Sequence, residues 1–169
     1  MRIGILRTVL LSLAFLAIVV ASGMPLVSVE GDGGGNTPDW HPYGVLSDPA
    51  HPVSFLVYAS IVLTVAAGAV TWVRPGRGVA DRAAGAVPAA LAVLVLVLAA
   101  AWLGAQESFM TWSGWDEVND REIGGMTVMR PTRWVALLWF AIACHAAAGL
   151  LALIPRGPRP STPSQGIPR

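Results

Sequence analysis

The chain has 169 residues, of which 54% are hydrophobic and only 12% charged, with a mean hydropathy of +0.61 and a formal net charge of +1. That balance excludes an ordinary soluble domain and bounds the protein to one small apolar domain. A single cysteine excludes an internal disulfide or a CxxC redox pair, and one Cys with three scattered His makes no zinc-ligand spacing.

Met1–Arg7 is a short basic head, and Thr8–Val29 follows without a charge. A basic head, an apolar run and the small residues Ala21-Ser22-Gly23 also describe a signal peptide. Because the run continues through Met24-Pro25-Leu26-Val27, it is read as an uncleaved anchor and first span. Residues 30–51 form a loop: GDGGG is flexible, Pro38, Pro42 and Pro49 forbid a long helix, and Trp40 and Tyr43 stand among polar residues. Pro52–Val73 is the second span, where Ser60, Thr64 and Gly68 fall at i, i+4 and i+8 as a small-residue packing stripe. An Arg-Pro-Gly-Arg-Gly turn from Arg74 separates it from the third span, Ala83–Ala105, which carries Pro88 in its first turns.

Residues 106–133 form the larger loop, with Phe109, Trp112 and Trp115 aromatic and Asp116, Glu117, Asp120 and Glu122 acidic. Gly124-Gly125 before MTVMR predicts the turn of a short hairpin, and PLVSVE at 25–30 has similar alternation, so a small β-element on the outer end is expected. Trp134–Ile154 is the fourth span, long enough at ~1.5 Å per residue to cross a ~30 Å hydrocarbon layer. The tail 155–169 is Pro-, Ser- and Arg-rich and reads as disordered.

Together these give an all-α membrane protein, a four-transmembrane-helix bundle over 1–154. All eleven basic residues are Arg, and eight of them (Arg2, Arg7, Arg74, Arg77, Arg82, Arg156, Arg159, Arg169) fall on one side. By the positive-inside rule both termini are cytoplasmic and the two large loops, which hold nine of the ten acids, face outward. The Arg-only basicity, with abundant Ala, Gly and Pro, points to a bacterial plasma membrane. AAGAVTWVRPGRG at 66–78 and AAGLLALIPRGPR at 147–159 suggest a repeat of parallel topology, or convergence on one stop pattern.

His145 is the one ionisable His, Asp, Glu, Lys or Arg inside an apolar run, and such residues mark functional sites by default. Ala141, His145 and Gly149 share a helical stripe, so the ring faces a close neighbour. As function it is a cofactor ligand or a base; as structure it is a neutral ring hydrogen-bonded to Ser60, Thr64 or a carbonyl. Cys144 beside it reads as a small buried hydrophobe. The acids after Asp116 lack EF-hand spacing and read as a solvated face. Trp112, Trp115, Asp116, Glu117 and Trp40 are the candidate partner-binding residues, Trp alternatively serving as an interfacial belt.

Four-span families fail on the residues they need. Quinone-linked disulfide oxidoreductases require paired Cys, small multidrug exporters a Glu in the first span, and claudin-like proteins a Cys pair in the first loop; none is here. No phosphate loop, nucleophile–base motif or nucleic-acid patch is present. The expectation is a non-catalytic accessory or interaction subunit without a cofactor, binding membrane lipid and other membrane subunits or a second copy. A membrane redox or small-molecule enzyme using His145, and a small transporter, are the alternatives.

Overall fold

The computed structural model describes residues 2–24, 26–31, 52–73, 78–105 and 109–155. In chain order these form α1 (Arg2–Ser22), β1 (Val27–Gly31), α2 (Pro52–Val73), α3 (Val79–Gly104), β2 (Phe109–Asp116), β3 (Arg121–Pro131) and α4 (Val135–Leu153). Four of the helices are long and apolar enough to cross a membrane, the make-up of a multi-pass membrane protein. Trp40, His41 and His51 lie outside the described residues, as does the tail from 156.

Some boundaries differ from the sequence expectation. α1 begins at Arg2 rather than Thr8 and stops at Ser22 rather than Val29, so its basic head is helical. The stop is local: Gly23 N–H donates to the carbonyls of both Val19 and Val20, and Pro25 follows. α3 starts at Val79, with Asp81 in its first turn, where a carboxylate suits the positive end of the helix dipole. Pro88 is therefore interior and leaves the Ala84 carbonyl without its helical donor.

β3 is the middle strand of an antiparallel sheet of order β1-β3-β2. β1 pairs with Thr127–Pro131, and β2 pairs from Phe109↔Val128 to Asp116↔Arg121. The two flanking strands barely overlap, so beyond Thr127 the β2–β3 hairpin projects as a two-stranded arm. Its turn is 117–120; Gly124 and Gly125, expected at the turn, lie within β3 opposite Ser113 and Trp112. Asp120, not a glycine, takes the left-handed conformation there, at φ 47°. The sheet is tied down at its base, where Thr132 N–H donates to Leu26 O at 2.9 Å and Leu26 is wholly buried in the core.

The helices form a ring in which α1 packs on α4, α4 on α3 and α3 on α2, with a thinner α1–α2 contact closing it. α1–α3 and α2–α4 are thus the diagonals, and each is bridged by one hydrogen bond. Arg7 Nη2 donates to Gly85 O at 2.7 Å, and Thr64 Oγ1 lies 2.8 Å from His145 Nε2. The partners are 78 and 81 positions apart.

Those two offsets bring the buried positions of the two halves of the chain into register. Shifting α2 by the second offset matches buried Ser54, Val57, Ser60, Thr64 and Ala67 to buried Val135, Leu138, Ala141, His145 and Ala148. It also aligns Leu56, Ile61 and Ala66-Ala67-Gly68 with Leu137, Ile142 and Ala147-Ala148-Gly149. Shifting α1 by the first matches buried Arg7, Leu11, Ala14, Ile18, Ala21 and Ser22 to buried Gly85, Ala89, Ala92, Leu96, Ala99 and Ala100. The two halves thus share a pattern of buried positions, and each diagonal bond joins matched positions of that pattern. The α1–α2 seam is thin, whereas its counterpart α3–α4 is extensive.

Positions that meet across a diagonal stand close together, so the two occupants must be complementary. Gly85 illustrates it: a Cβ there would stand 2.8 Å from two guanidinium nitrogens of Arg7. Gly68, by contrast, is half-buried and a Cβ there meets nothing within 4 Å, so the packing stripe continues through Ala67 instead. Gly85→Ala is expected to displace Arg7 and cost about 1–3 kcal/mol, while Gly68→Ala is neutral or slightly stabilising. Thermal unfolding of the two variants in detergent, followed by circular dichroism, checks the pair; equal stabilities would contradict it.

Candidate functional site

Buried apolar side chains form two clusters along the bundle. The larger runs from Leu26, Val53, Leu103 and Val135 at the sheet end to Ala14, Val57, Ala141 and Cys144; the smaller comprises Leu11, Ala67 and Ala148. Between them along α2 and α4 sit Ser60, Thr64 and His145, all buried, with His145 at 0% exposure. A polar layer therefore divides the apolar core. At ~1.5 Å per residue, His145 is roughly 15 Å from the start of α4 and 12 Å from its end, which is mid-membrane depth.

Every polar atom of the layer is engaged. His145 Nδ1 lies 2.8 Å from the Ala141 carbonyl, one turn back on its own helix. A carbonyl only accepts, so Nδ1 carries a proton. The Thr64 hydroxyl lies 2.6 Å from Ser60 O, and the Ser60 hydroxyl donates to Val57 O at 2.6 Å. Thr64 and His145 thus each fold back on the carbonyl four residues before them and meet across the α2–α4 diagonal. The sequence-named packing residues divide accordingly: Ser60, Thr64 and Ala141 belong to this layer, Gly149 lies beside α3, where a Cβ would be 3.5 Å from Ala89, and a Cβ on Gly68 would meet nothing within 4 Å. A metal or haem bound to His145 would first have to break one of its two ring hydrogen bonds. Among the described residues no group of three or more His, Cys, Asp or Glu could hold a metal ion. Cys144 is buried and reduced.

Arg7 is the residue that sequence reasoning passed over. Assigned to the basic head, it is buried inside the bundle, on a carbonyl adjacent to the one that Pro88 deprives of its donor. The signal that could have found it is the offset between the first and third helices, visible in Val9/Val87, Leu13/Leu91 and Ala14/Ala92.

The second site is the projecting arm. Trp115 is 60% exposed and Val118 at the turn 92% exposed. Trp112 lies in β2 opposite Gly125, its side chain outside the described atoms; Glu117 is exposed in the turn. Asp116 organises that turn: its carboxylate accepts from the Val118 and Asn119 backbone N–H groups at 3.1 and 3.3 Å and from Asn119 Nδ2 at 2.7 Å. Arg121 Nε stands 3.8 Å away, a loose, exposed pair that contributes little. The other described Trp residues sit near helix ends: Trp72 and Trp139 exposed, Trp102 and Trp134 partly buried, Arg133 lying 5.3 Å over the Trp134 ring.

No protein-family model, curated protein or solved structure matches this chain.

The Asn119 amide, then the Asn119 and Val118 N–H groups and Arg121, hold the Asp116 carboxyl below the usual carboxylate range. A folded value below the unfolded one contributes stability above the unfolded pKa of about 3.9 and loses it as pH falls through the lowered value. The turn is therefore expected to loosen only in acid below that range, and Asn119→Ala to move the Asp116 titration upward. Carboxyl chemical shifts against pH in the two proteins check this; coincident curves would contradict it.

Proposed function

We propose that the protein is a non-catalytic accessory subunit of a bacterial plasma membrane, with both termini cytoplasmic and the sheet outside, docking a partner protein through the hairpin arm. The arginine distribution supports the orientation, since eight of eleven Arg cluster in the segments on the termini side. The observation that carries the docking reading is the exposure of Trp115 and Val118 on an arm that projects past β1 and whose turn is held rigid by Asp116. A large aromatic on a preorganised, water-facing element is the make-up of an interface anchor. Its neighbours Asp116, Glu117, Asp120 and Glu122, against Arg121 alone, repel anionic lipid head groups and favour a protein partner with a basic rim. A membrane enzyme using His145 as cofactor ligand is less well supported, because both ring nitrogens are already bonded within the core.

Two measurements on the full chain in native membranes test this. Trp115→Ala is expected to reduce recovery of a stoichiometric partner in mild detergent at least tenfold, a hot-spot loss of about 2 kcal/mol. A protein that purifies alone, or a partner indifferent to Trp115→Ala, would sink the docking reading. A membrane-impermeant maleimide on intact cells is expected to label Val118→Cys and leave Val79→Cys unlabelled. The opposite pattern reverses the orientation.

A further inference from the structure

The hydrogens of the Ser60–Thr64–His145–Ala141 chain do not add up in a single way. Ala141 O fixes one proton on Nδ1. What remains is one short Thr64–Nε2 contact and one short Thr64–Ser60 O contact, and the Thr64 hydroxyl has a single hydrogen for the two. With His145 neutral, Nε2 is a lone pair, Thr64 donates to it, and Ser60 O keeps its helical N–H partner. With one proton added at Nε2, the direction reverses: Nε2–H donates to Thr64 Oγ1, whose own hydrogen turns to Ser60 O. Both states satisfy every buried donor; the protonated one matches the 2.6 Å Thr64–Ser60 O contact, and the neutral one needs those two oxygens to draw apart.

From this we infer that Thr64 and His145 form a one-proton binding site at the middle of the bundle, where α2 and α4 meet across its diagonal. The balance is simple: H⁺ adds to the Nε2 lone pair, the Thr64 hydroxyl hydrogen swings from Nε2 to Ser60 O, and no bond to Nδ1 changes. The position suits the role. Sites for coupling ions in membrane proteins with internal repeats lie at the bilayer midplane between the repeats, and Thr64 and His145 are equivalent residues of the two halves meeting there. Among the described residues the layer has no counter-ion. α2 has no Asp, Glu, Lys, Arg or His, and Tyr58, toward the sheet end, is its one titratable residue; α4 adds only Cys144 beside His145. α1 from Thr8 to Ser22 and α3 from Ala83 to Gly104 contribute no titratable group, Arg7 and Gly85 lying nearer the termini end. Binding thus places one uncompensated positive charge mid-membrane, stabilised by the Ala141 carbonyl and by Thr64, itself polarised through Ser60 O. The site stands whether or not the arm carries a partner.

The test is solid-state NMR of ring-¹⁵N-His protein in phosphatidylcholine–phosphatidylglycerol liposomes, with His41→Asn and His51→Asn leaving His145 as the single reporter. At pH 8 the expected neutral form is the Nδ1–H tautomer, the reverse of the usual Nε2–H preference. Between pH 8 and pH 4 Nε2 is expected to gain its proton while the Nδ1 resonance stays protonated throughout. Thr64→Val is expected to weaken proton binding about tenfold, one pH unit, and Thr64→Ser to leave it within about twofold. An Nε2–H tautomer at pH 8, a ring that stays neutral at pH 4 in the folded wild type, or a Thr64→Ser protein that titrates as though the hydroxyl were absent would each overturn the assignment. Circular dichroism of every sample confirms that the helices persist.

Discussion

The hydrogen bond between Thr64 and His145 ties the two halves of this bundle together at mid-depth. In lipid the apolar faces of helices gain little by meeting, because hydrocarbon solvates them as well as a neighbouring helix does. Close small-residue packing and polar bonds therefore determine which helices associate and in what register. Most of the core here is Ala, Val and Leu, which slide past one another without penalty. A pair of side chains at one depth, each braced on its own helix by the preceding carbonyl, does specify a register. One turn of slippage would leave a hydroxyl and an imidazole nitrogen without partners in an apolar medium, at a cost of several kcal/mol.

The polar residues that meet across the diagonals come in unlike pairs. Facing side chains in so close a space cannot both be bulky or charged. Arg7 opposite Gly85 and His145 opposite Thr64 resolve the problem in the same manner, a large donor-bearing group against a small partner that supplies an acceptor. The first pair sits near the termini end and the second at mid-depth, which fixes the diagonals of the bundle at two levels. The sheet caps the opposite end, where Leu26 is the plug that joins it to the apolar core.

The four helices were legible in the sequence because uncharged apolar runs of that length have few other uses. Their ends were less so: the Pro25 and Gly23 signals that stop α1 were outweighed by the apolar residues beyond them, which turned out to lead into β1. The hairpin turn was misplaced for a related reason. Gly124-Gly125 is a strong turn signal in isolation, but here the turn is built by Asp116, whose side chain imitates the backbone, and by Asp120 in the left-handed region. His145 stood out as the one ionisable residue in its run, yet its partner could not be chosen from sequence, since Ser60 and Thr64 both lie on the facing stripe. Arg7 was hidden by its place at the chain's start, where an arginine is expected in water and where only the comparison of the two halves shows it to be internal.

The hairpin arm and the polar layer lie at different depths of one small bundle, so the integrity of the layer is measurable without any partner. The most direct measurement is a double-mutant cycle of Thr64→Ala and His145→Ala on reversible unfolding of the full chain in mixed micelles. A bond across the α2–α4 diagonal predicts a coupling energy of about 1 kcal/mol, in the range found for hydrogen bonds between membrane helices. Losses that simply add, within about 0.3 kcal/mol, would mean that the two residues stabilise the bundle independently and that the halves are not joined there.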